Sequence, residues 1–174
     1  MMNVAGVDVP NTVDEMTVGL YDKHVALEMN PNLTTLEKWI EKFVVLGVPE
    51  ESFDEFTFDE MTETITKFNE GFDLNTPKVL EVEIEGYTYK AKESVTVKDM
   101  SLIEKLFNGD KKDLVANTVA ILFKREDLSR NEHYDKAHLD HKAKLFKDQS
   151  CSIAIPFMQD ILKTILESVD EVSE

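Results

Sequence analysis

The sequence predicts an α+β fold: a mainly α-helical single domain with a small antiparallel β-hairpin, to which a third strand could be added. Three observations support this fold class. Two segments begin with a helix-capping motif and continue with apolar residues at helical spacing. One segment alternates apolar and charged residues, as a half-buried strand does. The 174 residues are 42% hydrophobic and 31% charged, a balance typical of one folded domain.

The helix signals are strongest in the first half of the chain. Apolar spacing predicts a helix over residues 17–29. Thr34 with Glu37, and Thr57 with Glu60, each form a capping box, in which the hydroxyl accepts one free amide and the carboxylate accepts another. These two boxes predict the starts of two further helices.

Each capping box is followed by an apolar stripe and then by a glycine. We expect Gly47 to end the first of these helices in a left-handed conformation, and Gly71 to end the second. Both stripes are expected to face the core. Their members are Leu36, Ile40, Phe43 and Val44 in the first helix, and Phe58, Met61, Ile65 and Phe68 in the second.

A period-two pattern over residues 80–92 predicts the hairpin, with Glu85-Gly86 as its tight turn. Because a two-stranded ribbon alone is marginally stable, a third strand is expected, and Val7–Val9 is the candidate. Cross-strand charge pairs are also expected. They join Glu81 and Glu83 on one strand to Lys90 and Lys92 on the other.

Helical signals return after the hairpin. We expect Thr96 with Asp99 to cap one helix, and Asp110 to cap the next, whose stripe contains Leu114 and Ile121. The polar stretch over residues 124–134 is predicted as a loop. Asp135 then caps a helix to about residue 146, Ser150 or Ser152 opens a last helix, and an acidic tail covers residues 169–174.

The charge is large and unevenly distributed. Residues 1–86 contain 19 Asp and Glu against 5 Lys, or −14, whereas residues 87–174 contain 16 against 14, or −2. The chain therefore divides into an acidic helical half over residues 1–76, the hairpin over 77–93, and a second helical half over 94–174. Nucleic-acid and anionic-membrane binding are disfavoured, because both require clustered Lys and Arg.

The candidate chemical groups each have a simpler structural interpretation, which we favour. His133, His138 and His141, with Asp135 and Asp140, have the residue types of a metal site but lack a recognised ligand spacing. Cys151 lies where a helix begins, but no base or oxyanion site accompanies it. With one cysteine, no internal disulfide can form. We expect no enzyme activity, no cofactor, no metal site and no small-molecule substrate.

Contact with another protein is the remaining class of function. Aromatic and methionine residues exceed what one core needs, so some apolar stripes are expected at the surface. The candidate protein-binding residues are apolar anchors and the carboxylates of the acidic turn after Pro49. The alternative for the apolar residues is that they belong to the hydrophobic core. The candidates are Trp39, Phe43, Glu50, Glu51, Asp54, Glu55, Phe157 and Met158.

The order of segments resembles a known family. It runs DEMTVGLY (14–21), LEKWIEKFVVLGVPEESFDEFTFDEMTETITKFNE (36–70), VEIEGYTY (82–89), VTVKDMSLIEKL (95–106), VANTVAILFKRE (115–126) and HYDKAHLDHKAKLFKD (133–148). The chain thereby resembles the small helical proteins of tailed bacteriophages that act as tail-assembly chaperones or baseplate-hub assembly proteins. The resemblance implies element order and role, without site residues.

Two functional hypotheses follow. In the first, the chain is a non-enzymatic phage virion structural or assembly protein that binds tail, baseplate or connector subunits. It would work in the host cytoplasm during assembly, with homo-oligomerisation and retention in the virion both open. In the second, it is an acidic binding module that mimics nucleic acid and occupies a basic groove of a partner protein. Neither hypothesis involves direct contact with nucleic acid or a membrane, and no secretory leader is expected.

Overall fold

The computed structural model describes residues 1–171, with side chains described through Ile165. Within this part of the chain, eight α-helices and five short strands form the fold, so the predicted mainly helical α+β class is confirmed. The strands are β1 (Met2–Val4), β2 (Val7–Val9), β3 (Glu81–Ile84), β4 (Tyr87–Ala91) and β5 (Phe123–Arg125). The helices are α1 (Val18–Glu28), α2 (Thr35–Val45), α3 (Phe58–Gly71), α4 (Val97–Asn108), α5 (Leu114–Leu122), α6 (Arg130–His133), α7 (Lys136–Lys147) and α8 (Ile155–Glu171).

The strands form two antiparallel sheets. β1 pairs with β2 as a separate hairpin, and the other sheet has the order β3-β4-β5. The predicted hairpin and its turn are confirmed, since Glu85 and Gly86 have φ of 53° and 77°, as a type I′ turn requires. The prediction that Val7–Val9 supplies the third strand is wrong. Phe123–Arg125 supplies it, because α5 delivers the chain directly to the edge of β4.

Only part of the predicted cross-strand charge pattern forms. Glu81 lies opposite Lys90, and their side chains are 3.5 Å apart. Glu83 lies opposite Thr88, so its predicted pairing is wrong. Lys92 follows the end of β4 and turns inward, where its Nζ lies 2.5 Å from Oδ1 of Asp99.

Most predicted helix caps are present. The capping boxes of α2, α3 and α4 form as expected, and Asp135 accepts the amide of His138 at the start of α7. Ser150 caps a short 3-10 helix, Cys151–Ile153, that leads into α8. The stretch predicted as a loop instead contains β5 and α6. The acidic tail predicted at residues 169–174 lies outside the part of the chain whose side chains are described.

Helix α5 is the central helix of the fold. Every residue of α5 except Asn117 is buried, and the helix packs against α1, α4, α7 and α8. Such a helix needs its free N-terminal amides satisfied without water. The prediction that Asp110 caps it is wrong: the residue before α5 is Asp113, in a left-handed conformation (φ 57°), and its side chain binds Lys147 at 2.7 Å.

The cap of α5 comes from α1. The Asp22 carboxylate accepts the amides of Val115 at 2.5 Å and Ala116 at 3.0 Å, from 93 and 94 residues away in the sequence. Burial raises the pKa of Asp22 to about 6, although both amide hydrogen bonds act to lower it. This contact fixes α1 on the N-terminus of α5.

The hydrophobic core draws on both halves of the chain and on the hairpin. Phe43 is 0% exposed, Phe157 8% and Met158 4%. For these three contact candidates the structure therefore favours the alternative, that they belong to the core. Phe43 stacks on Phe53 and meets Phe68 edge-on, and Phe157 packs edge-on against Phe123 at 5.2 Å.

Among the residues that the structure describes, no helix is both long and apolar enough to cross a membrane.

Replacing Asp22 by Asn tests the long-range cap. An amide offers one acceptor oxygen, so one of the two amides it faces loses its partner. We expect the free energy of unfolding to fall by about 1–3 kcal/mol. Urea unfolding measures it, with Glu104→Gln, an exposed charge removal on α4, as the control. Equal stability of the two variants would contradict the assigned role.

Candidate functional site

The clearest exposed apolar surface lies between α2 and α3. A cavity of about 160 Å³ opens there, beneath the segment that connects the two helices. We call this surface the acidic apolar face, because the segment that connects the two helices carries four exposed carboxylates. Its apolar lining residues are Leu36, Ile40, Phe53, Phe56, Phe58 and Met61.

The two capping boxes position this face. Each fixes the first turn of its helix, and each first turn carries a large apolar side chain, Leu36 on α2 and Phe58 on α3. Leu36 is 43% exposed and Phe58 is 75% exposed. Met61, one turn further along α3, is buried. The apolar stripe of α3 therefore contacts the core from Met61 onward, whereas Phe58 at its start is exposed to solvent.

The connecting segment is held against the core by aromatic rings. Gly47 adopts φ of 100°, as predicted, and turns the chain out of α2. Phe53 then stacks on buried Phe43 with ring centroids 6.1 Å apart, and Phe56 meets Phe53 edge-on at 5.3 Å. The floor of the face is therefore ordered by contacts to the core.

The rim of the face is strongly acidic. Glu50, Glu51, Asp54 and Glu55 are all exposed, as their predicted role requires. Residues 43–66 contain seven carboxylates and no Lys or Arg. Hydrogen bonds from Thr57 lower the pKa of Glu60, so this carboxylate stays charged while it caps α3. A cationic partner would meet this negative field before contact.

Trp39 lies in a different place. It is half-buried and lines a separate cleft of about 220 Å³ with His24, Lys42 and Phe68. The Lys42 ammonium lies 4.3 Å from the centroid of the Trp39 ring and 2.7 Å from Oε2 of Glu28. Trp39 is therefore engaged by its neighbours on one side and open to solvent on the other.

His24 forms the buried wall of this cleft. Its side chain lies 6.1 Å from the Phe68 ring, and it is 7% exposed. Burial, together with the charge of Lys42, lowers the pKa of His24 to about 4. The imidazole is consequently neutral at pH 7.

The structure thus brings together half of the predicted protein-binding residues. The four carboxylates share the acidic apolar face, Trp39 lines the neighbouring cleft, and Phe43 lies beneath both in the core. Leu36 and Phe58 are the contact candidates that the sequence interpretation missed, because it assigned whole stripes to the core. Their position in the first turn, where a stripe meets the connecting segment, is the signal that could have identified them.

The histidines of the second half do not form a metal centre in the described part of the chain. No group of three or more His, Cys, Asp or Glu there has the arrangement that a metal ion needs. His133 is buried, and its Nδ1 lies 3.2 Å from the Nζ of Lys142. His138 lies partly buried on α7, while His141 is exposed on the same helix.

Cys151 is buried and lies in the 3-10 helix before α8. Its Sγ donates to the carbonyl of Val13 at 3.2 Å, and burial raises the pKa of the thiol to about 12. A thiol in this environment packs as a small apolar side chain at neutral pH. The structural interpretation of Cys151 is the one that its surroundings favour.

The buried neutral state of His24 predicts a pH dependence of stability. A histidine pKa lowered to about 4 in the folded protein, against about 6.5 when unfolded, favours folding above pH 6.5. This contribution is lost as the pH falls from about 6.5 through about 4. We expect His24→Gln to lose less stability than the wild type over this range.

Urea unfolding at pH 7 and at pH 4.5 measures this difference. Asp22 acts in the opposite direction below pH 6, but equally in both proteins. Exposed His141→Gln is the control and should keep the wild-type pH dependence. An unchanged pH dependence in His24→Gln would contradict the assignment.

Comparison with protein-family models, with curated proteins and with solved structures finds no match to this chain.

Proposed function

We propose that the protein is a non-enzymatic assembly or structural protein of a tailed bacteriophage, which binds a tail, baseplate or connector subunit through its acidic apolar face. The observation that carries the proposal is the exposure of Phe58 and Leu36 at an apolar cavity, next to a connecting segment that carries four exposed carboxylates and no Lys or Arg. The element order that resembles phage tail-assembly proteins supplies the identity of the partner class.

The chemistry of the face specifies the partner. The cavity accepts an apolar side chain, and the carboxylates of Glu50, Glu51, Asp54 and Glu55 favour Lys or Arg around it. An amphipathic segment with one apolar anchor and flanking basic residues satisfies both requirements. Complete burial of Phe58 would contribute about 1.5–3 kcal/mol, enough for an anchor but not for a whole interface.

The second candidate function is nucleic-acid mimicry. Its support is the run of seven carboxylates without a cation in residues 43–66, within a half of the chain that carries −14. A basic groove built for phosphates could bind such a surface. In that case charge alone would provide most of the affinity, and Phe58 and Leu36 would contribute little.

Replacing Phe58 by Ser tests the anchor. The side chain is 75% exposed, so we expect the free energy of unfolding to stay within about 0.5 kcal/mol of the wild type. Binding to the partner subunit should weaken by about tenfold or more. Size exclusion and native mass spectrometry with purified tail, baseplate and connector subunits detect the complex, and calorimetry measures its affinity.

Val97→Ser is the matched control for this substitution. Val97 is also the first residue of a helix with a capping box, and it is 89% exposed, but it lies on α4, away from the acidic apolar face. This variant should bind as the wild type does. Equal weakening by both substitutions, or no complex with any of the subunits at micromolar concentration and low salt, would contradict the proposal.

Salt dependence separates the two candidate functions. Binding anchored by Phe58 should persist at about 0.5 M salt with a modest loss of affinity, because burial of apolar surface is not screened. Mimicry of nucleic acid should fail there, since its affinity depends on many exposed ion pairs. The same calorimetric titration, repeated at two salt concentrations, gives the answer.

A further inference from the structure

A cavity of about 600 Å³ lies on the other half of the chain. It is bounded by the ends of β4 and β5, the segment after each strand, and α6. We call it the basic cleft. Four cations line it against two carboxylates, in a protein whose net charge is −16. The cations are Lys90, Lys92, Lys124 and Arg130, and the carboxylates are Glu93 and Glu126.

Two of these cations lie opposite each other on neighbouring strands, where like charges repel. Lys90 on β4 and Lys124 on β5 are directly opposite each other in the strand register. Like charges at opposed positions destabilise a strand pair. Lys90 is compensated by Glu81 at 3.5 Å and Glu126 at 2.9 Å, but Lys124 has no carboxylate partner among the described residues.

Arg130 is likewise without a carboxylate partner in the described part of the chain. The neighbouring Arg125 differs, because its guanidinium binds Asp127 through two nitrogens, with Nε 2.9 Å from Oδ1. Arg125 is therefore already occupied, and its ring contact with Tyr87 fixes it further. Lys124 and Arg130 are the cations that remain available to a ligand in the basic cleft.

A buried lysine, Lys142, lies beneath the cleft, and burial lowers the pKa of its ammonium to about 7. Lys142 on α7 is 0% exposed, and its Nζ donates to the carbonyl of Phe123 at 2.6 Å. Its other contact, at 3.2 Å, is with Nδ1 of His133, which lines the cleft. Neither partner carries a negative charge. Burial, with Lys142 beside it, lowers the pKa of His133 to about 3, so its imidazole is neutral at pH 7.

The buried carboxylate of Asp99 contacts three residues of the cleft lining and already has hydrogen-bond partners on both of its oxygens. Asp99 is 0% exposed and accepts hydrogen bonds from Lys92 at 2.5 Å and from the Tyr134 hydroxyl at 2.8 Å. Its second oxygen accepts the amide of Thr96 at 2.9 Å, which completes the cap of α4. Asp99 thus neutralises Lys92, and Lys124 and Arg130 are the lining cations without a carboxylate partner among the described residues.

We propose that the basic cleft binds a small phosphate-bearing anion. A phosphate group offers several acceptor oxygens to the two-pronged Arg130 guanidinium and to the Lys124 ammonium. The hydroxyls of Ser94 and Ser129, also in the lining, supply further donors. Such an anion relieves the repulsion between Lys90 and Lys124, which lie opposite each other in the strand register. The inference does not depend on the proposed docking function.

Calorimetric titration of the full chain with inorganic phosphate and with pyrophosphate at low ionic strength tests the proposal. We expect pyrophosphate to bind more tightly than phosphate, because it carries more charge. Lys124→Gln and Arg130→Gln should each weaken pyrophosphate binding by about tenfold. Both side chains are exposed, so neither variant should be less stable than the wild type, and Lys124→Gln, which removes the like charge opposite Lys90, should be at least as stable.

Lys23→Gln is the matched control, since Lys23 is an exposed lysine on α1, outside the cleft lining. It should bind pyrophosphate as the wild type does. Absence of pyrophosphate binding to the wild type at low ionic strength, or equal weakening by Lys23→Gln, would overturn the proposal.

Discussion

The Asp22 carboxylate holds together two parts of the chain that are 93 residues apart. It accepts the first free amides of α5, a helix so buried that water cannot reach them. The residue in the usual capping position, Asp113, binds Lys147 instead. The side-chain cap of α5 is therefore present only when α1 is docked against it. The other helices of the core, and β5 that follows α5, depend on this arrangement. Asp22 thus acts together with the backbone contacts of residues 16–18 with residues 149–151 to link the acidic first half to the C-terminal helices.

This arrangement leaves two surfaces of opposite character. In the first half, short connections and capping boxes place Leu36 and Phe58 outside the core, beside carboxylates that have no cation nearby in the sequence. In the second half, β5 brings Lys124 beside Lys90 at the mouth of a cavity. Both surfaces carry charge that the described fold does not neutralise, and both retain apolar or hydrogen-bonding groups in solvent. Such features cost folding stability and are therefore informative about binding.

The sequence predicts the features that depend on residues close together in the chain. Capping boxes such as Thr34 with Glu37, and the turn at Glu85 and Gly86, are encoded within a few residues, and they form as expected. The misassigned third strand and the cap of α5 depend on residues distant in sequence, which local patterns cannot pair. Exposure of Phe58 was missed for another reason. Helical spacing identifies a face of the helix, whereas the depth at which each turn enters the core depends on what packs beside it.

The central claim is that the protein binds its partner through the acidic apolar face, and a footprint of the complex tests this most directly. Hydrogen exchange with mass spectrometry, run on the free chain and on the chain bound to its tail, baseplate or connector subunit, maps the contact. In the complex, we expect new protection of the backbone amides in the segment that connects α2 to α3 and in the first turns of both helices. Exchange of the amides around α4 should not change. Protection confined to the second half of the chain, with residues 49–60 exchanging as in the free protein, would contradict this claim.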